Sequence, residues 1–296
     1  MNTEYIKMLF DEVDENMGVT TDYAPAISIS DTTELVNGIR GLQKVLGVAT
    51  MTPMAAGDEV KIYKHTLVKG GKQAGEGQVI PLSKVKRELD RTLQLKDDLY
   101  RTETTLQAIR KVGRAIAIDE SDQVLLDEIR GDIIDNFYST LEAGRGTAQA
   151  GSTFQAAAAN CWGAAAVAFE DKEVTPIFFA HPLTIATYLG TAPITTQSEF
   201  GFNYIQNFLG LGNVVVSSRV PQNKVIGTAV QNIKGVYGSS NGDVARSFNL
   251  SYDASGLVGI THAQNLNNAT VDTMIDCAVL FYVKDLDAVF TATIGE

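Results

Sequence analysis

Cysteine and histidine are scarce in this chain of 296 residues. Cys161 and Cys277 are far apart in sequence, which excludes a disulfide framework and a metal site built on closely spaced cysteines. Free cysteines are usually buried, so we expect both thiols to be reduced and buried. His65, His181 and His262 are each isolated from a Cys, Asp or Glu at metal-binding spacing. We predict surface or strand histidines and no metal site.

Positive charge and long apolar runs are also lacking. The sequence pI is about 4.8 and the net charge is -11, which disfavours a sequence-independent nucleic-acid binder. The first ten residues contain no apolar core of a secretory signal, and the uncharged stretch 146–169 is mostly alanine, too weakly apolar to enter a membrane. With 45% hydrophobic and 20% charged residues, the chain is predicted to be globular and kept in a cytoplasm.

No catalytic or nucleotide-binding motif is present. Thr66 stands where a phosphate-binding loop ending at Gly71 would need its first glycine. The glycine pairs at 75 and 77 and at 210 and 212 lack the third glycine of a dinucleotide fingerprint, and there is no G-x-S-x-G elbow. We therefore predict that the protein is not an enzyme and uses no cofactor, although a site assembled by folding alone would leave no local signal.

Charge is distributed unevenly along the chain. Residues 1–150 carry 24 acidic and 18 basic side chains, whereas residues 151–296 carry 11 and 6. Two explanations fit the second half: its surface packs against copies of the same chain, or it holds the core of the fold.

Helical periodicity marks the N-terminal part. Apolar residues at helical spacing, opposite an acidic face, predict an amphipathic helix over residues 3–17. A second short helix is predicted after a cap at residues 31–33, with its apolar face formed by Leu35, Val36, Ile39 and Leu42.

From Met51 to Leu99 the apolar period becomes two, which predicts a long β-hairpin. Its apolar positions are Val60, Ile62, Tyr63, Val79, Ile80, Leu82, Leu93, Leu95 and Leu99. The tip, residues 69–77, contains four glycines and no large apolar side chain, so it is predicted to be flexible and exposed. Because a two-stranded ribbon is marginal alone in water, its apolar face must lie on the body of this chain or on a neighbour.

The strongest helical pattern runs from Thr102 to Ala143, and Gly144 is placed to end it. The acidic residues 119–122 leave open one long helix or two collinear ones. Beyond it, the pattern predicts an alanine-rich helix capped near Ser152 or Thr153 and a helix beginning at Pro182. Short strands are predicted over residues 175–179, 214–218, 224–228, 279–283 and 288–293.

This order of elements resembles the major capsid proteins of tailed phages, which have the Hong Kong 97 fold. The stretch 175–190 (TPIFFAHPLTIATYLG) is similar to the strand, x-Pro and helix unit of that family. The stretch 208–227 (FLGLGNVVVSSRVPQNKVIG) resembles its axial-domain segment. The resemblance covers nearly the whole chain and implies an α+β fold.

The resemblance also implies a division of the chain. An N-terminal arm would span residues 1–49, an extended β-hairpin loop 50–98, a peripheral domain with a long spine helix 99–150, and an axial domain 151–255. Residues 256–296 would form the return segment and the C-terminal strands.

The function that the resemblance implies is that of a shell subunit. The chain would assemble through pentamers and hexamers into an icosahedral virion capsid enclosing double-stranded DNA without sequence-specific binding, in the cytoplasm of a bacterial host. Because the loop strands begin near residue 50, a separate scaffolding protein is expected, together with a portal. The presence of a decoration protein stays open. No membrane partner is expected.

The extended-loop tip is the assembly site that we predict, and its residues are Lys69, Gly70, Gly71, Lys72, Gly75 and Gly77. The loop would lie on an adjacent subunit, with the glycines adapting the tip to local curvature. Some family members crosslink a loop lysine to a neighbour's asparagine, but no motif here identifies such a pair. An encapsulin-like compartment, a soluble enzyme and a tail-tube protein stay open as alternatives.

Overall fold

The computed structural model describes residues 36–37, 39–48, 51–55, 58–68, 82–96, 98–170, 172–190, 196–199, 202–240, 242–252 and 256–295. The predicted helix over residues 3–17, the cap at residues 31–33 and the glycine-rich hairpin tip lie outside these residues.

Helical elements occur along the whole described chain. They are α1 over residues 36–37 and 39–45, α2 (Leu106–Val112), a π-helical segment (Ala115–Asp119), α3 (Glu120–Glu142), α4 (Phe154–Ala168), α5 (Pro182–Leu189) and α6 (Asp243–Phe248), with 3-10 turns at Val230–Asn232 and Leu286–Ala288.

The strands fall into four sheets. In chain order they are β1 (Met51–Met54), β2 (Glu59–Val68), β3 (Lys84–Gln94), β4 (Asp98–Thr105), β5 (Gln149–Gly151), β6 (Pro176–Ala180), β7 (Gln197–Glu199), β8 (Phe202–Phe208), β9 (Gly212–Val216), β10 (Lys224–Ala229), β11 (Ile233–Gly238), β12 (Ser251–Tyr252), β13 (Val258–Asn265), β14 (Thr270–Cys277), β15 (Val279–Val283) and β16 (Phe290–Ile294).

One part of the structure is a seven-stranded mixed sheet in the order β5-β16-β10-β6-β9-β8-β7. Helix α4 packs on it through small side chains, because Ala157, Ala158, Cys161 and Ala165 are all buried. Small residues let the helix approach the sheet closely, and a Cβ added at Gly227 of β10 would lie only 2.9 Å from the Cys161 Cβ.

The second part is built around α3, whose 23 residues span about 34 Å. Its buried stripe packs on β15 and on the antiparallel sheet β12-β13-β14-β4. Phe137 lies at the centre, with edge-on ring contacts to Phe179 and Phe281 at 5.7 and 6.4 Å between centroids. Helix α1 contributes Val36, Ile39 and Leu42 to the same core, so the part of the second predicted helix that is described is confirmed.

The long helix predicted from residue 102 is wrong at its start. Residues 102–105 belong to β4, because their backbone pairs with β14 and Thr102 lies opposite Thr273. The helix begins only after Thr105, whose hydroxyl accepts the Ala108 N–H. The break falls at Gly113, where φ is 88°, and the π-helical segment follows it before α3. The interruption therefore precedes the acidic residues 119–122.

Most other element predictions are confirmed. Helix α4 is capped by the Thr153 hydroxyl, and α5 carries Pro182 in its first turn. The predicted strand 279–283 is exact, whereas the last strand begins at Phe290 because residues 286–288 form a 3-10 turn. Both cysteines are free and buried, as expected, and burial raises the pKa of Cys161 to about 12.

Candidate assembly surface

The predicted hairpin is present as a ribbon of two strands, but it is shorter than the predicted span from Met51 to Leu99. Residues 51–54 pair with β11, and Leu99 lies in β4, which pairs with β14. Antiparallel β2 and β3 pair from Glu59 opposite Gln94 to Val68 opposite Lys84, and this sheet has no hydrogen-bonded neighbour strand among the described residues. The pairing shifts once, since Ile62 lies opposite Arg91 but Tyr63 lies opposite Leu89, which leaves Asp90 as the extra residue of a bulge. Leu82 precedes the return strand β3, in which six of the eleven residues are charged.

The base of the ribbon is attached to the body of its own chain. Ile62 and Leu95 are buried there. The Lys64 ammonium pairs with Asp287, which raises the pKa of Lys64, and Arg91 donates to the Val283 carbonyl. Asp90 lies 3.6 Å from the Arg145 guanidinium and 3.8 Å from the Lys64 ammonium. Partial burial lowers the pKa of Arg91.

The distal half of the ribbon leaves an apolar face in solvent. Leu67 is 51% exposed, its partner Val85 is 61% exposed, and Leu89 is 54% exposed. Arg87 stacks over the Tyr63 ring at 3.6 Å, which extends this face toward the base. The rest of the ribbon is mainly basic: Lys61, Lys64, Lys84, Lys86, Arg87 and Arg91 outnumber Glu59, Glu88 and Asp90.

Helix α3 carries an exposed stripe of the opposite charge, which we call the acidic stripe: Glu120, Asp127, Glu128, Asp135 and Glu142. Steps of seven or eight residues return to the same side of a helix, so these carboxylates lie along one line. Arg130 is the helix's one basic residue, and Arg219 pairs with Asp135 from outside it. A basic ribbon and an acidic helix thus belong to the same subunit.

The sequence analysis missed one buried polar contact. His262 lies on β13, and its Nε2 is 2.6 Å from Oδ2 of Asp122, a carboxylate 1% exposed in the first turn of α3. Asp122 Oδ1 has no hydrogen-bond partner among the described residues. A local signal existed, because strand alternation places His262 on the same face as buried Ile260. The acidic partner comes from 140 residues away and could not be read from spacing.

A second polar contact joins the sheet β12-β13-β14-β4 to α3. The Tyr100 hydroxyl of β4 donates to Asp132 Oδ2 at 2.5 Å, and burial together with this carboxylate raises the pKa of Tyr100. Asp119, at the end of the π-helical segment, lies near Arg114, Asp122 and His262, and burial raises its pKa. The Tyr100–Asp132 and His262–Asp122 contacts hold the sheet on α3.

The histidines lie where the sequence analysis expected them. His65 and His262 are on strands, and His181 precedes α5, where its Nδ1 accepts the Leu183 N–H. Within the described ranges, no group of three or more His, Cys, Asp or Glu residues could hold a metal ion. No helix of those ranges is both long and apolar enough to cross a membrane.

The predicted tip residues, Lys69 to Gly77, lie outside the described part of the chain. The structure therefore leaves their role in assembly as a prediction.

Comparison with protein-family models gives no match, and comparison with curated protein sequences gives none. Solved structures do match. The capsid of an empty GTA particle is similar with a TM-score of 0.60 and 10% identity, covering 86% of this chain and 90% of that one. The SrpI encapsulin of Synechococcus elongatus PCC 7942 is similar with a TM-score of 0.53 and 14% identity, covering 100% and 96%. The capsid of cyanophage P-SCSP1u is similar with a TM-score of 0.53 and 8% identity, covering 82% of this chain and 85% of that one.

These neighbours are phage capsid and encapsulin shells. The chain has the fold that they share, the Hong Kong 97-like capsid fold, as its order of elements predicted.

Proposed function

We propose that the protein is the major capsid protein of a tailed double-stranded DNA bacteriophage. It assembles through pentamers and hexamers into an icosahedral shell that encloses the genome. The division expected from the sequence is part of this proposal: arm 1–49, extended loop 50–98, peripheral domain 99–150, axial domain 151–255 and return segment 256–296.

The exposed distal half of the hairpin is the observation that carries this proposal. Leu67, Val85 and Leu89 form an apolar face on a ribbon that has no further strand beside it in the described structure. Such a ribbon is marginal in water unless the face is covered. The base is already attached to its own body, so a neighbouring subunit is the surface that covers the distal half.

Charge supports a second copy of this chain as that neighbour. The ribbon is basic and the acidic stripe on α3 is its complement. Because the two surfaces differ, the contact can be repeated head to tail from one subunit to the next, and such heterologous contacts build a ring when they close. The net charge of -11 also suits an enclosed genome, since a shell that grips DNA would hinder its packaging and release.

The experiment is to express the full chain alone and together with a scaffolding protein encoded beside it. Negative-stain electron microscopy and light scattering then report the products. Closed shells, or rings of five and six subunits, are the expected result. A monomer under both conditions would contradict the proposal.

A matched pair of variants tests the hairpin itself. Leu67→Asp with Val85→Asp places charge on the distal apolar face and is expected to abolish shells while leaving the folded subunit intact by circular dichroism. Leu67→Met with Val85→Ile keeps the apolar area and should assemble. Deleting residues 69–77 should also block assembly without unfolding the subunit; shells of normal size from this deletion would refute the role of the tip.

An encapsulin-like shell is the second candidate, favoured by the encapsulin match that covers 100% of this chain. The same expression experiment separates the two. Uniform shells formed without any co-expressed protein favour the encapsulin-like compartment, whereas shells that require the scaffolding protein favour the phage capsid.

A further inference from the structure

An apolar groove lies between α2 and the turn that joins β13 to β14. It has a volume of about 270 Å³, and its apolar lining comes from Leu106 and Ile109 on one side and from Leu266, Ala269 and Val271 on the other. The two walls are held together, since the Leu106 N–H donates to the Ala269 carbonyl at 2.9 Å. The groove is therefore a built feature of the fold.

The walls of this groove are unusually exposed for apolar residues. Helix α2 has no buried residue, and the Leu266 side chain is 86% exposed at the tip of the turn. Exposed apolar surface concentrated beside a groove is typical of a surface that binds a partner segment.

Positive charge stands beside the groove. Arg110 lies one helical turn beyond Leu106 and Lys111 follows it, both in the last turn of α2. Two carboxylates of the neighbouring strands are already hydrogen-bonded: Glu103 accepts from the Thr270 hydroxyl at 2.8 Å, and Asp272 accepts from Arg101 at 2.7 Å. An apolar segment with acidic flanks is the ligand that this groove fits.

We propose that residues 3–17 of the same chain bind in this groove as an amphipathic helix. Their apolar positions, Tyr5, Ile6, Leu9 and Val13, have the spacing of helix-in-groove anchors. Their polar positions, Asp11, Glu12, Asp14 and Glu15, supply the negative charge that complements Arg110 and Lys111.

The chain is long enough to reach the groove. The residues from 18 to 35 span up to about 60 Å when extended. Val36, the first described residue, belongs to the same buried cluster as Ile260 on β13. Gln264, which lines the groove, lies four residues beyond Ile260 on that strand, so these two residues are about 13 Å apart. Binding within one chain needs no neighbour, so this inference stands independently of the proposed function.

Disulfide trapping in the full chain tests the proposal. Leu9→Cys combined with Leu266→Cys is expected to form a disulfide on mild oxidation, detected by mass spectrometry after digestion. Cys161 and Cys277 are buried and do not compete. The control joins Leu9→Cys to Leu183→Cys, an exposed position on α5, and we expect at least tenfold less disulfide from it.

Two further measurements make each outcome decisive. Mixing light and isotopically heavy chains before oxidation should give light–light and heavy–heavy products, whereas mixed products would show that another copy supplies the segment and would overturn the assignment. Arg110→Glu should slow trapping severalfold. A yield equal to that of the Leu183 control, or trapping unaffected by Arg110→Glu, would overturn the proposal.

Discussion

Removing the His262 imidazole would leave the Asp122 carboxylate buried beside α3 without its partner. Asp122 is 1% exposed, and His262 Nε2 is 2.6 Å from one of its oxygens, while the other oxygen has no hydrogen-bond partner in the described structure. The positive end of the α3 dipole stabilises the unpartnered Asp122 carboxylate only in part.

The expected magnitude follows from the burial of this pair. Removing one partner of a buried hydrogen bond costs about 1–3 kcal/mol, and more when the group left behind is a carboxylate, because that group stays buried without a partner. For a chain of 296 residues, 3 kcal/mol corresponds to a fall in Tm of about 5 °C. His262→Ala should show this loss. Asp122→Asn keeps a hydrogen-bonding group at the site and should lose much less, about 1 kcal/mol.

The assay is thermal unfolding of the unassembled chain by circular dichroism, completed as a double-mutant cycle. Asp122→Ala with His262→Ala removes both partners of the contact, so the double variant should be clearly more stable than the sum of the single losses predicts. A loss below about 1 kcal/mol for His262→Ala, or strict additivity in the cycle, would refute the reasoning that the pair is a coupled buried contact.

Two other predictions concern packing around α4. Gly151→Ala should destabilise the subunit by about 2 kcal/mol or more, because the added Cβ would lie 2.3 Å from the Ala157 backbone nitrogen, and the thermal midpoint measures it. Gly163→Ala is the matched control on α4: nothing lies within 4 Å of its new Cβ, so it should stabilise by up to about 1 kcal/mol, and a loss there would contradict the packing argument. The Cys161 thiol, with its pKa raised to about 12, stays protonated and enclosed at pH 8, so a thiol reagent should react with it only as fast as the protein opens; immediate reaction in the native state would be inconsistent with this burial.

Local signals predicted the elements whose boundaries depend on local chemistry. Thr153 caps α4 and Pro182 opens α5, and neither depends on distant residues. The start of the long helix was misplaced because residues 102–105 have their partners on β14, about 170 residues later, and this pairing overrides the helical periodicity. The break at Gly113 was not predicted, because a glycine inside a helical pattern does not by itself reveal a positive φ. The acidic residues 119–122 indicated a later break instead.

The candidate surface was predictable in part for the same reason. The alternating pattern and the glycine-rich tip were sufficient to expect a hairpin that needs a covering surface. The acidic stripe and the Asp122–His262 contact were not predicted, because each becomes visible only when helical geometry or the tertiary fold brings the groups into line.

The bulge at Asp90 determines which face of the ribbon carries the apolar side chains of β3. On one face of the ribbon, Val60, Ile62 and Leu93 turn toward the subunit's own core at the base. Beyond the inserted residue, the apolar pairs Tyr63–Leu89 and Leu67–Val85 lie on the reverse face. Because β3 has one extra residue, its apolar side chains change face together with those of β2. The base of the ribbon therefore packs through one face, and the distal half exposes apolar side chains on the opposite face. If a neighbouring subunit covers the distal face, the ribbon contacts two subunits through its two opposite faces, and such a contact can be repeated from one subunit to the next around a ring.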